Sequence, residues 1–234
     1  MNPVVFIAAD SRECRHWVSK WSGPRKLALP VHWALSGRWN NQDVIAIANG
    51  AGPERAAAAV QAVETLQPRA IVSIGTCGAL DSSLQLGDVF VPVEIRAGDS
   101  VWPVHAPLGP ASETAYKKGP LISIPRIAAT SSEKARLRST GALAVEMESG
   151  GVARASDCLG VPFYCVRTIS DLASEDFAND FNKILMPDGR FNIPVLLMNA
   201  LARPLTRIPE LSRLAKRSDL ASKNMGEFLA LCSF

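Results

Sequence analysis

Short apolar runs alternate with helical patterns along most of the chain, and this alternation limits the fold more than any other feature. The helical patterns cover residues 53–66, 132–138 (with a serine cap) and 150–159. Strand and helix in repetition predict an α/β fold with a largely parallel or mixed sheet. The apolar runs that we interpret as buried strands are residues 4–9, 44–48, 70–74, 89–95, 143–147 and 163–169.

The domain organisation follows from where the alternation stops. Residues 94–125 contain five prolines and three glycines, which favour a loop with short strands. Residues 1–190 are predicted to form one domain, and residues 191–234 a basic helical extension packed on it. Within residues 203–223, basic side chains at helical spacing leave two interpretations open. The helix either packs on the domain with a solvated charged face or makes a peripheral contact with anionic lipid.

Composition excludes several classes of protein. The chain has 234 residues, 47% of them hydrophobic, which is enough to bury a core. The net charge of +3, without a Lys/Arg-rich block, does not indicate a nucleic-acid partner. No apolar run has the length of a membrane span. Five scattered cysteines and three distant histidines suggest neither a disulfide framework nor a metal site, so we expect a reduced, cytoplasmic protein.

Polar residues follow the predicted strands, where α/β proteins bind their ligands. Asn49 opens "NGAGPERA", which is not a dinucleotide fingerprint because Arg55 stands where the third glycine belongs. "GTCG" predicts a tight turn that presents amides and the Thr76 hydroxyl to an anion or sugar, or a turn that serves packing alone. Cys77 fits a small buried filler better than a nucleophile, since no histidine lies at a recognisable spacing.

The stretch "AVEMES" places two carboxylates, Glu146 and Glu148, inside an apolar run. Buried carboxylates are costly unless they are paired or hydrogen-bonded. In a strand, residues two apart face the same side, so the pair would point together toward a ligand. Each carboxylate accepts hydrogen bonds from hydroxyl groups, and ribose offers two adjacent hydroxyls.

Three segments together resemble the nucleoside phosphorylase/nucleosidase superfamily. They are "FIAADSREC", "SIGTCGALDSSLQLGDVFVP" and "AVEMESGGVARASDCLGVPFYCVRTISDLA". The likeness is greatest to 5′-methylthioadenosine/S-adenosylhomocysteine nucleosidases. The tract "IAATSSEKARLRSTGALAVEMES" and the segment after Asn192 are similar to hopanoid-associated phosphorylases. The resemblance implies a single-domain three-layer sandwich and release of adenine from a 5′-substituted adenosine.

The resemblance also implies roles for individual residues. Asp171 would protonate purine N7, and Glu13 would lie beside the attacking water. Arg167 would help to hold that water or an anion. The substrate-binding residues would be Thr76, Cys77, Gly78, Glu146, Met147, Glu148 and Ser170, with Glu148 on the ribose hydroxyls and Met147 against the ribose ring. No metal or organic cofactor is implied, although inorganic phosphate could act as a co-substrate.

Two departures from the family pattern bear on the reaction. Ser73 stands where related phosphorylases carry a phosphate-binding arginine, which favours hydrolysis over phosphorolysis. The tract before "VEME" lacks the aromatic residue that clamps purine in methylthioadenosine nucleosidases. The alternatives are an adenosylhopane nucleosidase of hopanoid biosynthesis, a phosphate-dependent purine nucleoside phosphorylase and a non-catalytic nucleoside-binding protein. The family implies a homodimer or higher homo-oligomer.

Overall fold

The computed structural model describes residues 2–109 and 116–234. The strands in these residues are β1 (Val4–Ala8), β2 (Ser22–Lys26), β3 (Trp33–Trp39), β4 (Gln42–Ala48), β5 (Ala70–Ala79), β6 (Val89–Ala97), β7 (Ser100–Pro103), β8 (Lys117–Ser123), β9 (Ala144–Glu146) and β10 (Phe163–Asp171). The helices are α1 (Ser11–Val18), α2 (Pro53–Gln61), α3 (Ser131–Arg138), α4 (Ser149–Leu159), α5 (Phe181–Ile184), α6 (Ile193–Ala202) and α7 (Pro204–Leu229), with a 3₁₀ turn at Glu64–Leu66.

A mixed sheet organises the fold, as the sequence predicted. β1 pairs in parallel with β4 and β5, and β5 pairs in parallel with β10. β10 also pairs antiparallel with β6, and the path continues through β8 and β9 back to β5. Five strands therefore close a ring at one end of the sheet, while β1, β4, β3 and β2 extend it outward.

Helices cover the sheet on two sides and give it the three layers of a sandwich. In β1, Val5 and Ile7 face a core shared with α2 and α4. Phe6 faces the opposite core, where it packs with Trp17 of α1 and Phe228 of α7. This alternation is what a strand buried on both faces requires. Because β1, β5 and β10 are parallel neighbours, their carboxyl ends meet at one edge of the sheet.

The prediction of a tight turn at "GTCG" was wrong, because β5 continues through this stretch to Ala79. Gly75 lies within the strand at φ +149°, where a side chain would be strained. A Cβ atom there would lie 2.7 Å from Arg167 Nη1 and 2.9 Å from Glu13 Oε1. The glycine thus lets a cation and a carboxylate approach the backbone.

Short strands occur within the segment 94–125. β7 and β8 agree with the expected short strands, and β8 lies inside the sheet between β6 and β9. Residues 110–115 of this segment lie outside the described residues.

Sequence patterns gave no expectation for α1, β2 or β3. The turn of the β3–β4 hairpin could have been predicted from the pair Asn40 and Asn41. These residues adopt φ +46° and +60°, a conformation that asparagine tolerates in tight hairpin turns.

Two helix starts correct the expected boundaries. α3 begins at Ser131, and Thr130 rather than a serine caps it by accepting a hydrogen bond from the Glu133 amide. α4 begins at Ser149, directly after β9 has ended at Glu146. The extended geometry therefore does not reach Glu148, which occupies the N-cap position of α4.

Candidate active site

A cavity of about 310 Å³ opens at the ends of β1, β5 and β10. Nine of the ten predicted site residues line it, namely Glu13, Thr76, Cys77, Gly78, Glu146, Met147, Glu148, Ser170 and Asp171. Arg167 is the exception, because its side chain is fully buried beneath the wall. Lining residues that the sequence did not indicate include Arg126, Ile127, Phe177, Phe181, Phe191 and Leu214.

Glu13 is held in place by the start of α1. Its Oε2 accepts hydrogen bonds from the amides of Ala9 (3.1 Å) and Asp10 (3.2 Å), as part of a capping box with Asp10. Its Oε1 accepts a hydrogen bond from the Thr76 amide at 3.1 Å. Burial raises the pKa of Glu13, although Arg167 opposes this shift. A carboxyl group with a raised pKa can exchange a proton nearer neutral pH.

Arg167 joins the wall of the cavity to the sheet below. Its Nη2 donates hydrogen bonds to Glu146 Oε2 at 2.6 Å and to Ser73 Oγ at 2.7 Å. Nη2 is therefore engaged from behind, whereas Nε is buried and has no hydrogen-bond partner within residues 2–109 and 116–234. Arg167 is not among the described residues that line the cavity. The implied role of Arg167, to help hold water or an anion, stays a prediction. Ser73 serves here as a hydrogen-bond partner of the arginine.

Glu146 is satisfied entirely by the protein. Its carboxylate accepts hydrogen bonds from the Ser149 hydroxyl (2.5 Å), the Glu148 amide (2.9 Å) and the Ser149 amide, in addition to Arg167. Burial disfavours the ionised form, but Arg167 and these hydrogen bonds hold the pKa of Glu146 below its usual value. Glu146 thus anchors the strand-to-helix junction.

The Glu148 side chain makes far fewer hydrogen bonds with the described residues than the Glu146 side chain does. Its side chain is partly exposed to the cavity, and Oε1 accepts one hydrogen bond, from the Gly52 amide at 3.0 Å. Burial and then the charge of Glu146 raise the pKa of Glu148 to about 8. The motif therefore separates one ionised, structural carboxylate from one carboxyl group that is available to a ligand.

Asp171 ends β10 and forms a buried ion pair that the sequence did not suggest. Lys134 of α3 donates from Nζ to Asp171 Oδ2 at 2.6 Å. The same ammonium group donates to the carbonyl oxygens of Leu172 (2.7 Å) and Glu175 (3.4 Å). Lys134 is fully buried, and its Nζ lies 5.3 Å from the centre of the Phe177 ring. All three of its protons are thus directed at oxygen atoms.

Ser170 and Gly78 complete the surroundings of Asp171. The Ser170 Oγ lies 2.8 Å from Asp171 Oδ1 and 3.2 Å from the Cys77 carbonyl oxygen. A hydroxyl group has one proton, so Ser170 can donate to an ionised Asp171, or donate to Cys77 and accept from a protonated one. A Cβ atom at Gly78 would lie 2.8 Å from Asp171 Oδ2, which explains a glycine there.

Cys77 and Met147 contribute shape to the cavity. Burial raises the pKa of the Cys77 thiol well above its usual value, so the thiolate needed for nucleophilic attack is disfavoured. Met147 is 8% exposed and presents its flexible side chain to the cavity. Both placements agree with apolar contact to a ligand.

Aromatic side chains enter the cavity from a part of the chain outside the tract before "VEME". Phe177, Phe181 and Phe191 line it, with ring centres of Phe177 and Phe181 5.5 Å apart and those of Phe181 and Phe191 6.1 Å apart. Flat rings of this kind can hold a purine between apolar surfaces. The missing clamp residue therefore does not leave the cavity without aromatic walls.

The basic residues of the cavity wall are paired. Among the described lining residues these are Arg12, which bonds Asp10 at 2.8 Å, and Arg126, which forms an ion pair with Glu133. In the same described part of the chain, no group of His, Cys, Asp and Glu side chains could hold a metal ion. The carboxyl groups of Glu13, Glu148 and Asp171 line the cavity and are the kind of group that can exchange protons with a ligand.

Known proteins resemble this chain in sequence. The sequence model of the family described as Phosphorylase superfamily matches residues 31–186. The 5′-methylthioadenosine/S-adenosylhomocysteine nucleosidase of Halalkalibacterium halodurans is 24% identical over 212 residues, which are 79% of this chain and 92% of that protein.

Solved structures share the fold. The 5′-methylthioadenosine/S-adenosylhomocysteine nucleosidase from S. pneumoniae with the transition-state inhibitor MT-ImmA has a TM-score of 0.75 and 16% identity, and covers 98% of this chain and 97% of its own. A futalosine hydrolase mutant of Helicobacter pylori has a TM-score of 0.73 and 15% identity, with coverage of 98% and 97%. At these identities the likeness concerns the fold.

Proposed function

This chain belongs to the phosphorylase superfamily of enzymes, and from this premise we propose that it hydrolyses the N-ribosidic bond of a 5′-substituted adenosine and releases adenine. The observation that carries the proposal is the arrangement of Asp171, Glu148 and Glu13 around one cavity. The nucleosidase named above, which aligns over most of this chain, supports the choice of a 5′-substituted adenosine.

The proposed chemistry divides the charge of the breaking bond between two ends of the cavity. When the bond between C1′ and the purine nitrogen breaks, its electron pair goes to the purine and C1′ becomes positively charged. Asp171 gives a proton to N7 and so stabilises the leaving adenine. Because Lys134 holds Asp171 as an ion pair in the free protein, Asp171 must first take up that proton from solvent, and Ser170 can hydrogen-bond either form.

Water completes the reaction on the sugar. Its oxygen bonds to C1′ while Glu13 accepts its proton, a task that suits a carboxyl group whose pKa is raised by burial. Glu148 forms hydrogen bonds with the 2′ and 3′ hydroxyl groups. Its carboxyl group accepts only the Gly52 amide from the described protein residues and can therefore bind a ligand. Arg167 acts from beneath by keeping Glu146 ionised and the junction to α4 rigid.

Hydrolysis is favoured over phosphorolysis because the arginine side chains in and beneath the cavity wall already bind other groups of the protein. Phosphate needs basic side chains or amides that are free to bind it. Arg167 is committed to Glu146 and Ser73, and the two arginines of the described cavity wall are paired with acids. A water molecule makes no such demand.

One observation favours a second candidate, adenosylhopane, the substrate class implied by the resemblance to hopanoid-associated phosphorylases. A groove adjoins the cavity, shares Phe191 with it and runs to Ile193 at the start of α6. An apolar 5′ group too large for the cavity would have a path there. The reaction would be the same, and only the 5′ group would differ.

The test is release of free adenine from a panel of nucleosides, each with and without phosphate. The panel contains methylthioadenosine, S-adenosylhomocysteine, adenosine, inosine and adenosylhopane. We expect adenine from 5′-substituted adenosines, faster than from adenosine, and at a rate that phosphate leaves unchanged. Binding without release of any base would support the non-catalytic alternative and contradict the proposal. The expected homo-oligomer is a separate prediction, which sedimentation would measure.

A further inference from the structure

The hairpin made by α6 and the first turns of α7 leaves an apolar surface open to solvent. We call this surface the α6–α7 face, and its exposed side chains are Ile193, Val195, Leu197, Met198, Leu201, Leu205 and Ile208. Met198 is 71% exposed, Leu201 68% and Leu205 92%. Soluble monomers rarely expose contiguous apolar patches of this kind without an interaction partner.

Only one side of α6 is exposed to solvent, because its other side packs on the protein. Ala200 lies on the buried side of α6. Arg207 of α7 donates a hydrogen bond from Nη1 to the carbonyl oxygen of Asn199 in α6 at 2.7 Å. Leu197, Met198 and Leu201 follow at helical spacing on the side away from this contact. The hairpin is thus attached through one surface and presents the other.

The charges in the segment that carries the α6–α7 face are almost all of one sign, although Asp188, just before this segment, lies 4.0 Å from Arg190 in an ion pair. Residues 189–218 contain six basic side chains and one acidic side chain. That acid, Glu210, is 2% exposed and accepts hydrogen bonds from the backbone amides of Ala178 and Asn179. Arg190, Arg203 and Lys216 are exposed. An apolar helix face with a basic border is complementary to an anionic lipid surface.

The same charges disfavour a second copy of the chain as the occupant. A symmetric contact places each α6–α7 face against its own counterpart, so that the basic borders of both copies meet. Like charges brought together across an interface oppose association. Arg217, by contrast, is withdrawn from this border because it donates two hydrogen bonds to Glu175 at 2.8 and 2.9 Å.

The α6–α7 face lies beside the entrance of the cavity. Phe191, two residues before α6, and Leu214 of α7 both line the cavity. Ile193 belongs at once to the face and to the groove that adjoins the cavity. A surface on which the face rested would therefore lie next to the groove.

We propose that the α6–α7 face docks the protein on the surface of an anionic lipid bilayer, with the groove opening toward the lipid. In the described residues no helix is long and apolar enough to cross a membrane, so the contact is made at the interface. Docking itself does not depend on the reaction, whereas delivery of a lipid-borne 5′ group to the cavity rests on the proposed function.

The experiment is flotation of the full chain with phosphatidylcholine vesicles that contain or lack phosphatidylglycerol. We expect the wild type to float with the anionic vesicles at low salt and less at moderate salt, because screening weakens the basic border. The triple variant L197S/M198S/L201S should lower the ratio of bound to free protein at least about tenfold, since it removes exposed apolar area alone. The matched control V93S/V101S/L108S changes three exposed apolar residues elsewhere and should float like the wild type.

Three results would overturn the proposal. They are no flotation of the wild type with anionic vesicles, equal flotation of L197S/M198S/L201S, and a wild-type dimer that this variant converts to monomers. Adenine release from a water-soluble nucleoside, measured without vesicles, should be the same for wild type and both triple variants. If the wild type floats but releases no adenine, the reaction is wrong and the docking stands.

Discussion

Two groups of buried charges surround the cavity, and they are balanced in different ways. The glutamate cluster combines Glu13, Glu146 and Glu148 with a single cation, Arg167. The Lys134–Asp171 pair combines one acid with one base. In the cluster, burial raises the pKa of Glu13 and of Glu148, and the charge of Glu146 adds to the shift of Glu148, whereas the pair is neutral as a unit. Glu13 and Glu148 of the cluster can therefore exchange protons with ligands, whereas Asp171 of the pair has to be protonated before it can act as the proposed donor to the purine.

The largest effect on stability should come from replacing Glu146, the carboxylate of the cluster that binds Arg167. Glu146→Gln leaves Arg167 buried without its counterion, so we expect the free energy of unfolding to fall by about 3 kcal/mol or more. Glu148→Gln is the matched control, because it changes the neighbouring carboxyl group while the Arg167–Glu146 pair stays intact. Urea denaturation at neutral pH measures both. Equal losses in the two variants would show that the two glutamates do not differ as described.

The next largest effect, on kcat, should come from replacing Asp171 of the Lys134–Asp171 pair. Asp171→Asn removes the proton donor to the leaving purine, and we expect kcat for adenine release to fall at least about a hundredfold. Ser170→Ala, which removes only a hydrogen bond to the same carboxyl group, should change kcat by less than about tenfold. A folded Asp171→Asn protein with turnover near that of the wild type would remove Asp171 from the mechanism.

Lys134 is expected to act by positioning Asp171. Lys134→Met leaves Asp171 Oδ2 and two carbonyl oxygens without their donor, so kcat should fall about tenfold while KM changes little. Lys134→Arg keeps the charge and should recover part of kcat. Steady-state kinetics separates the two constants. A change in KM alone, or equal kcat values for the two variants, would speak for a structural role only.

The last prediction concerns pH and tests the carboxyl group of the cluster that is available to a ligand. Glu148 has an unperturbed pKa of 4.5 and a folded-state pKa of about 8, so the folded protein binds its proton more tightly than the unfolded chain does. Its contribution to stability is fully present below pH 4.5 and is lost as the pH rises toward about 8. Glu148→Gln cannot titrate, so its free energy of unfolding should decline less steeply than that of the wild type over this range. Parallel curves would contradict the raised pKa.

The glutamate cluster could be predicted from sequence because its members lie next to strand ends within short motifs. Glu146, Glu148 and Arg167 each belong to a contiguous stretch in which a buried strand stops. Even there, residue patterns alone did not separate the roles of Glu146 and Glu148, and only the family resemblance assigned the ribose hydroxyls to Glu148. That separation depends on β9 ending at Glu146, which frees the amides of Glu148 and Ser149 to bind its carboxylate.

The other side of the cavity could not be predicted in this way. Lys134 reaches Asp171 from α3, 37 positions earlier, and a lysine in a short polar helix is usually exposed. Phe177 and Phe181 follow β10 in a segment without clear periodicity. The bounds of β8 and its place inside the sheet were not predicted, because Gly119 and Pro120 interrupt its apolar pattern. In each case tertiary packing decided the outcome, and local sequence carried little of it.

Hydrolysis in 18O-labelled water with phosphate present tests the central proposal most directly. The products from 5′-methylthioadenosine would be analysed by mass spectrometry after a single turnover. If Glu13 directs water to C1′ and the paired arginines leave no site for phosphate, the products are adenine and a free methylthioribose that carries one labelled oxygen atom. A methylthioribose 1-phosphate without the label as the main product would contradict this mechanism.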